Sequence, residues 1–364
     1  MSLNKNRVVV AMSGGVDSST CAYLLKEQGY EVIGITMQIW QDPSEDYMYR
    51  EGGCCSIGAV YDARKVAEKL GIPYYVLNFK EVFSKKVIDY FIEEYLEGRT
   101  PNPCIACNKY IKFEALLQKA MEIDAYYLAT GHYARIEYDI SSGRYLLKKG
   151  KDKSKDQSYA LYNLTQKQLE HLLLPLGNFT KSQIRDIARK AGLPVAEKPD
   201  SQEICFVNTN YKDFLKENAA DRIKPGPILD KRGKILGQHN GIAFYTIGQR
   251  RGLGISAGRP LYVIDIDPKR NAIIVGDEND LLTKEFIADK VNWIAFDSLT
   301  SKRHVLAKIR YNFEEKPASI FPLESGKVKV VFDEPQKSVT PGQSVVFYDG
   351  DVVLGGGIIA EKVC

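Results

Sequence analysis

Ser13-Gly14-Gly15-Val16-Asp17-Ser18-Ser19 follows the apolar run Val8-Val9-Val10-Ala11-Met12 and precedes the helical pattern Thr20-Cys21-Ala22-Tyr23-Leu24-Leu25-Lys26. A buried strand that turns through two glycines into a helix brings several backbone N–H groups to one point. That point lies at the positive end of the helix dipole, and the arrangement binds phosphate. Gly14 and Gly15 let the main chain approach an anion, and the hydroxyls of Ser13, Ser18 and Ser19 add donors without bulk. Asp17 is unusual in an anion cradle and is expected to organise the loop or a metal ion. The rival reading is a tight turn with Ser18 as N-cap; the strand–loop–helix context favours the phosphate site.

No Lys-Ser/Thr pair follows the glycines, so this is not a Walker loop. It looks instead like the pyrophosphatase-type loop of enzymes that adenylate a substrate carbonyl and release pyrophosphate. Two further glycine patterns, Gly252-Leu253-Gly254-Ile255-Ser256-Ala257 and Gly355-Gly356-Gly357-Ile358-Ile359-Ala360, do not open a βαβ unit and are read as turns or bulges.

With 364 residues the chain is long enough for two or three domains with full cores. Fifty basic against 46 acidic residues leave +4, so any nucleic-acid binding must rest on local patches. No apolar run approaches the roughly 20 residues of a membrane span, and the start of the chain carries no signal-peptide core. The expected location is therefore cytoplasmic. Seven irregularly spaced cysteines then read as thiols for chemistry or metal binding, not as a disulfide framework.

Residues 31–40 are too densely apolar for a one-sided sheet and suit a parallel strand buried on both faces. Residues 41–51 have no period and are expected to form a loop. Val60, Ala63, Val66, Ala67 and Leu70 fall at helical spacing, ended by Gly71. A strand at 74–77 leads into a helix through Val87, Phe91, Tyr95 and Leu96. A loop over 98–108 carries two prolines and Cys104-Ile105-Ala106-Cys107, and a helix near 112–123 and a strand at 126–130 follow. Alternating strands and helices predict an α/β fold, a doubly wound parallel sheet with ligands at the carboxyl ends of its strands. A hairpin is expected over 134–149 and helices over 166–173 and 181–191, the latter capped by Thr180. Beyond Phe206 glycine and proline become frequent, with one short helix near 211–218. After about residue 280 the pattern is almost purely β, and Val328, Val330 and Phe332 alternate with polar residues. This predicts a small central domain and a C-terminal antiparallel β-barrel, with boundaries at 1–206, 207–280 and 281–364.

The C-x-x-C at Cys104 and Cys107 leaves three readings open: sulfur chemistry, half of a metal site, or two incidental thiols. The adjacent Cys54-Cys55 does not have the spacing of a second metal-binding pair. Cys205, in a polar loop after Asp200-Ser201-Gln202-Glu203-Ile204, is either an accessible nucleophile or a packed loop thiol. Cys21 is expected in the core and Cys364 in solvent. His132, just past a strand end, is the one histidine placed for an active site; His171, His239 and His304 are assigned to surface or core.

Taken together, these stretches resemble the tRNA-specific 2-thiouridylase family of the pyrophosphatase-loop superfamily, which thiolates the wobble uridine of certain tRNAs. The match is carried by residues 11–19, Thr100-Pro101-Asn102-Pro103, Cys107-Asn108-Lys109, Ile111-Lys112-Phe113 and Ala129-Thr130-Gly131-His132-Tyr133-Ala134. Lys155-Asp156-Gln157-Ser158-Tyr159, Pro199-Asp200-Ser201-Gln202-Glu203-Ile204-Cys205-Phe206 and 245–254 extend it. The resemblance implies ATP at Ala11, Met12, Ser13, Gly14, Gly15, Val16, Asp17, Ser18, Met37 and Gly131, with Mg²⁺ on its phosphates. It implies Cys107 as nucleophile, Cys205 as persulfide carrier, and a Cys107–Cys205 disulfide after transfer. Contacts to tRNA are implied at Asn102, Pro103, Cys104, His132, Lys155, Asp156, Gln157, Arg310, Tyr311 and Gln343.

Many members carry an aspartate, proposed as an acid/base, where this chain has Cys104. The departure opens an alternative in which Cys104, Cys107 and Cys205 ligate an iron–sulfur cluster. The implied partners are tRNA and a persulfide donor such as a cysteine desulfurase or a sulfur-relay protein, with no membrane and a monomeric state. Basic patches at 148–155, Gln249-Arg250-Arg251, and Lys302, Arg303, Lys308 and Arg310 are expected to grip the tRNA backbone. The rival readings are a carbonyl-adenylating synthetase for a small molecule, and a zinc or iron–sulfur RNA-binding protein with a regulatory nucleotide loop.

Overall fold

The computed structural model describes residues 3–40, 57–200, 204–207, 210–255 and 258–363. Cys54, Cys55, the expected loop at 41–51, residues Ser201 to Glu203, and Cys364 lie outside the described residues. The chain divides into two compact units. The first comprises Met1–Val87, Cys104–Val207 and Asp351–Val353; the second comprises Ile88–Pro103, Asn208–Gly350 and Leu354–Cys364.

The first unit is built on strands β1 (Asn4–Ala11), β2 (Glu31–Gln38), β3 (Tyr74–Asn78), β4 (Ala125–Ala129), β5 (Ala134–Asp139), β6 (Arg144–Lys149) and β7 (Leu172–Leu173). Five of them form a parallel sheet in the order β3-β2-β1-β4-β7, with β5 and β6 as an antiparallel hairpin. β1 is central because Val8, Val9 and Val10 are fully buried, each contributing about 1.5–3 kcal/mol. Helices α1 (Val16–Glu27), α2 (Ile57–Leu70) and α3 (Lys181–Lys190) bring Ala22, Leu25, Ala63, Val66, Ile184 and Ala188 into one core with Val8, Val10 and Met12. Cys21 belongs to that core, where burial first and the Asp17 charge second push its thiol pKa far up. The chain leaves β1 toward β2 on one side and finds β4 on the other. The carboxyl end of β1 is thus the switch point where open α/β sheets bind ligands.

Two local expectations are corrected. The loop at 98–108 is shorter than expected: Pro103–Ala106 is already helical and runs into a π-helical stretch, Cys107–Leu116, and then Leu117–Glu122. Proline fixes a helix-compatible φ and lacks only an N–H that the first turn cannot use, so Pro103 starts the helix. Cys104 and Cys107 therefore stand on helical turns. The helix expected over 166–173 stops at Glu170, and Leu172 and Leu173 instead complete the sheet beside Leu128 and Ala129.

The second unit contains β8 (Gly226–Asp230), β9 (Ile235–His239), β10 (Tyr262–Asp267) and β11 (Ala272–Gly276), paired in the order β10-β11-β8-β9. It continues with β12 (Leu282–Trp293), β13 (Arg303–Lys308), β14 (Lys316–Pro322), β15 (Val328–Lys337), β16 (Ser344–Asp349) and β17 (Val352–Val363). These run β12-β15-β14-β13-β16-β17, and pairing of β12 with β17 closes an antiparallel barrel of six strands. Val328, Val330 and Phe332 point inward with Phe286, Ile320 and Phe347, as their alternation requires. Gly355, Gly356 and Gly357 lie within β17 and not at a strand-to-helix turn. Among the described residues no helix is long and apolar enough to cross a membrane.

Candidate active site

The loop leaving β1 is tied at both ends. Met12 N–H donates to Ile35 O at 2.8 Å and Thr36 Oγ1 donates to Met12 O at 2.6 Å. Ser13 N–H donates to Ser18 Oγ at 3.1 Å, and Ser18 Oγ donates to Gly15 O at 3.2 Å. The N-cap of α1 is Gly15, not Ser18, and no side chain caps it. An uncapped N-terminus keeps its first N–H groups for an external acceptor. Gly14 has φ +67°, and a Cβ there would lie 2.2 Å from Ala59 O at the start of α2, so only glycine fits. A Cβ on Gly131 would lie 2.8 Å from Asp17 C and Ser18 N, which sets the end of β4 directly against the cradle.

Asp17 resolves the oddity in the motif. Its carboxylate accepts from Lys181 Nζ at 2.8 and 2.7 Å and from Tyr133 Oη at 2.7 Å. Burial, and then Asp17 itself, push the Tyr133 phenol well up, so it stays a proton donor. Lys181 also reaches Asp200 Oδ1 at 2.6 Å, and Asp200 meets Lys155 Nζ at 2.8 Å and Arg185 at 3.3 Å. Desolvation alone would raise the Asp200 pKa; hydrogen bonds from Lys155 and Lys181 outweigh it and hold the carboxyl below its usual range. Lys198 supports the loop from below, donating to Gly14 O at 3.1 Å and to Asp62 at 2.6 Å. Lys181 and Lys198 are additions to the site that the motif did not mark.

Met37 is half-buried near the carboxyl end of β2. His132 is buried, with Nδ1 2.7 Å from Thr130 Oγ1; burial first, then Lys112, depress its pKa well below the usual value, so its ring is neutral. Asp156 and Gln157 turn inward: Asp156 accepts from Gly150 N–H and Ser158, and Gln157 Oε1 accepts from Tyr133 N–H at 3.0 Å. Cys104 is exposed, while Cys107 and Cys205 are half-buried. Phe206 is buried edge-to-face on Phe83 at 5.7 Å, which anchors the chain immediately after Cys205. Among the described residues no three His, Cys, Asp or Glu side chains are grouped to hold a metal ion. This arrangement lends no support to the cluster alternative at Cys104, Cys107 and Cys205.

Within the second unit, Gln343 Nε2 donates to Thr100 O at 2.8 Å, two residues before Asn102 and three before Pro103. Arg310 donates to Ser338 O at 2.9 Å and Thr340 Oγ1 at 2.6 Å, in the same turn, and Tyr311 beside it is 40% exposed. Several expected backbone-gripping cations carry local partners: Lys148 pairs with Glu137, and Arg303 with Asp349.

An anion cradle at the switch point of a parallel sheet, held open by glycines and an uncapped helix, defines a nucleotide-binding α/β enzyme of the pyrophosphatase-loop class. Residues 6–209 match the family model described as tRNA methyl transferase HUP domain. Residues 212–277 match the tRNA methyl transferase PRC-barrel domain, and 283–359 the aminomethyltransferase beta-barrel domain. The chain is 64% identical over 359 residues to a tRNA-specific 2-thiouridylase of Caldanaerobacter subterraneus subsp. tengcongensis, covering 98% of this chain and 99% of that one. It is 58% identical over 364 residues to the tRNA-specific 2-thiouridylase of Clostridioides difficile, covering all of both. The chain belongs to the tRNA-specific 2-thiouridylase family.

Proposed function

We propose that this chain is a tRNA-uridine 2-sulfurtransferase that uses ATP to replace the 2-oxygen of the wobble uridine with sulfur. The observation that carries the chemistry is the uncapped cradle of Ser13, Gly14, Gly15 and Ser18 in a chain matched to this family over its whole length. The division of labour we propose is a catalytic domain over 1–206, a central domain over 207–280 and a barrel over 281–364.

ATP enters as its Mg²⁺ complex, its phosphates on the N–H groups of the cradle and its base toward Met37 and Gly131. Asp17, the single carboxylate of the loop, is committed to Lys181 and Tyr133 and does not present itself as a metal ligand. The uracil 2-oxygen attacks the α-phosphate and pyrophosphate leaves. A carbonyl oxygen is a poor leaving group and AMP a good one, so this step makes substitution at carbon 2 feasible. The terminal sulfur of a persulfide on Cys205 attacks that carbon and expels AMP. Cys107 thiolate then attacks the Cys205 sulfur, the sulfur–sulfur bond breaks, and its electron pair stays on the thiocarbonyl product. A Cys107–Cys205 disulfide remains for an external dithiol to reduce. Neutral His132, Asn102, Pro103, Cys104, Lys155, Arg310, Tyr311 and Gln343 form the proposed tRNA contacts. A persulfide donor of the desulfurase or relay type, a monomer and a cytoplasmic setting complete the proposal.

The test is incubation with ATP, Mg²⁺, a persulfide donor and unmodified tRNA, followed by nucleoside analysis. 2-Thiouridine is expected, and Cys107→Ala should release tRNA-dependent pyrophosphate while forming no product. Pyrophosphate release with no dependence on tRNA would point to a small-molecule synthetase instead.

A further inference from the structure

Lys181 has three N–H donors, and three carboxylate oxygens take them: both of Asp17 and one of Asp200. Its side chain is 12% exposed, so little water competes. The other Asp200 oxygen holds Lys155. Asp200 thus stands between a lysine fixed to the first turn of the nucleotide cradle and a lysine on the proposed tRNA side. ATP and the tRNA backbone both carry phosphate anions, the ligand chemistry that lysines such as these attract. Lys181 is also the first residue of α3, where the helix dipole disfavours a cation, so its position depends on the acceptors around it.

We propose that Asp200 is a positioning residue that acts as an internal stand-in for phosphate. It holds Lys181 and Lys155 in place in the free enzyme and gives them up to the phosphates of ATP and tRNA. The tRNA half rests on the function proposed above; the ATP half requires only that the cradle binds a nucleotide. The carboxylate keeps two lysines extended and aimed while neutralising them, which limits capture of other anions. Its cost is paid in substrate affinity, because each incoming phosphate displaces a carboxylate of the protein.

The sign of the expected effect separates this role from a merely structural one. Asp200→Asn, close to isosteric, should bind the non-cleavable α,β-methylene-ATP at least about fivefold tighter by titration calorimetry, the lower end of ordinary coupling between sites. Lys181→Met should bind it about tenfold more weakly, and Lys181→Arg should recover most of the loss. In the double variant the gain from Asp200→Asn should vanish, because the freed cation is absent. Unmodified tRNA should also bind Asp200→Asn about threefold tighter in a filter assay. Asp200→Ser, measured beside the thermal midpoint of each protein, carries the same expectation should the asparagine variant fold poorly. Unchanged or weaker nucleotide binding in a folded Asp200 variant overturns the proposal. Tighter nucleotide binding with unchanged tRNA binding overturns its Lys155 half.

Discussion

His132 shows how much a single residue's setting decides. The ring is buried beside Thr130 and Phe113, and burial with the nearby Lys112 charge depresses its pKa well below the usual value. The unfolded chain takes up that proton near pH 6.5 and the folded one does not, so the stability held by neutral His132 is complete above 6.5 and drains as pH falls. Each pH unit below about 6 should cost about 1.4 kcal/mol until the folded pKa is reached. Denaturant unfolding at pH 7.0 and 5.5 should show that loss in the wild-type chain and a flatter response in His132→Gln. His239 has a depressed pKa by burial as well and contributes with the same sign, so the comparison between proteins carries the test. An identical pH response in the two proteins would mean that His132 is not held neutral. At this scale the sequence was legible for Gly14 and the serines and nearly silent for Lys181. The one local signal was a lysine at the first helical position, against the dipole, and such a mismatch often marks a functional site.

At the scale of elements, α3 illustrates what local chemistry fixes. Thr180 Oγ1 accepts from Gln183 N–H, and the Gln183 side chain reaches back to Thr180 N–H, a reciprocal cap readable from the order Thr-x-x-Gln. That cap sets where the helix starts and hence where Lys181 points. Thr180→Ala should lower stability by about 1 kcal/mol, measured by urea unfolding, and should weaken nucleotide binding because Lys181 loses its frame. Normal nucleotide affinity in that variant would separate the cap from the site. The helix at 103–122 was only half legible: its apolar spacing from 112 onward is plain, whereas Pro101 and Pro103 read as a loop. Proline both ends and begins helices, and only the surrounding packing decides which. β7 escaped notice for a similar reason, since two leucines carry no period and are a strand only because β4 lies beside them.

For the whole molecule, the net charge of +4 spread over 364 residues gives no strong field, so tRNA must be held by local groups. Phosphate contacts release counterions, and affinity for unmodified tRNA should fall roughly tenfold or more between 50 and 200 mM salt. A flat response would remove backbone contacts from the account. The sequence by itself determined the α/β unit, the β-rich remainder and the anion cradle. Each of these rests on short-range rules: apolar periodicity, glycine conformation and the dipole of a helix that starts at a glycine. Tertiary structure alone decided that residues 88–103 cluster with the second unit and that Asp156 and Gln157 face inward. It alone joined Asp17, Lys181, Asp200 and Lys155, which lie up to 183 positions apart along the chain, into one ion-paired cluster. Ion pairs of that kind follow from where a fold brings charges together, and no pattern in a linear sequence records it.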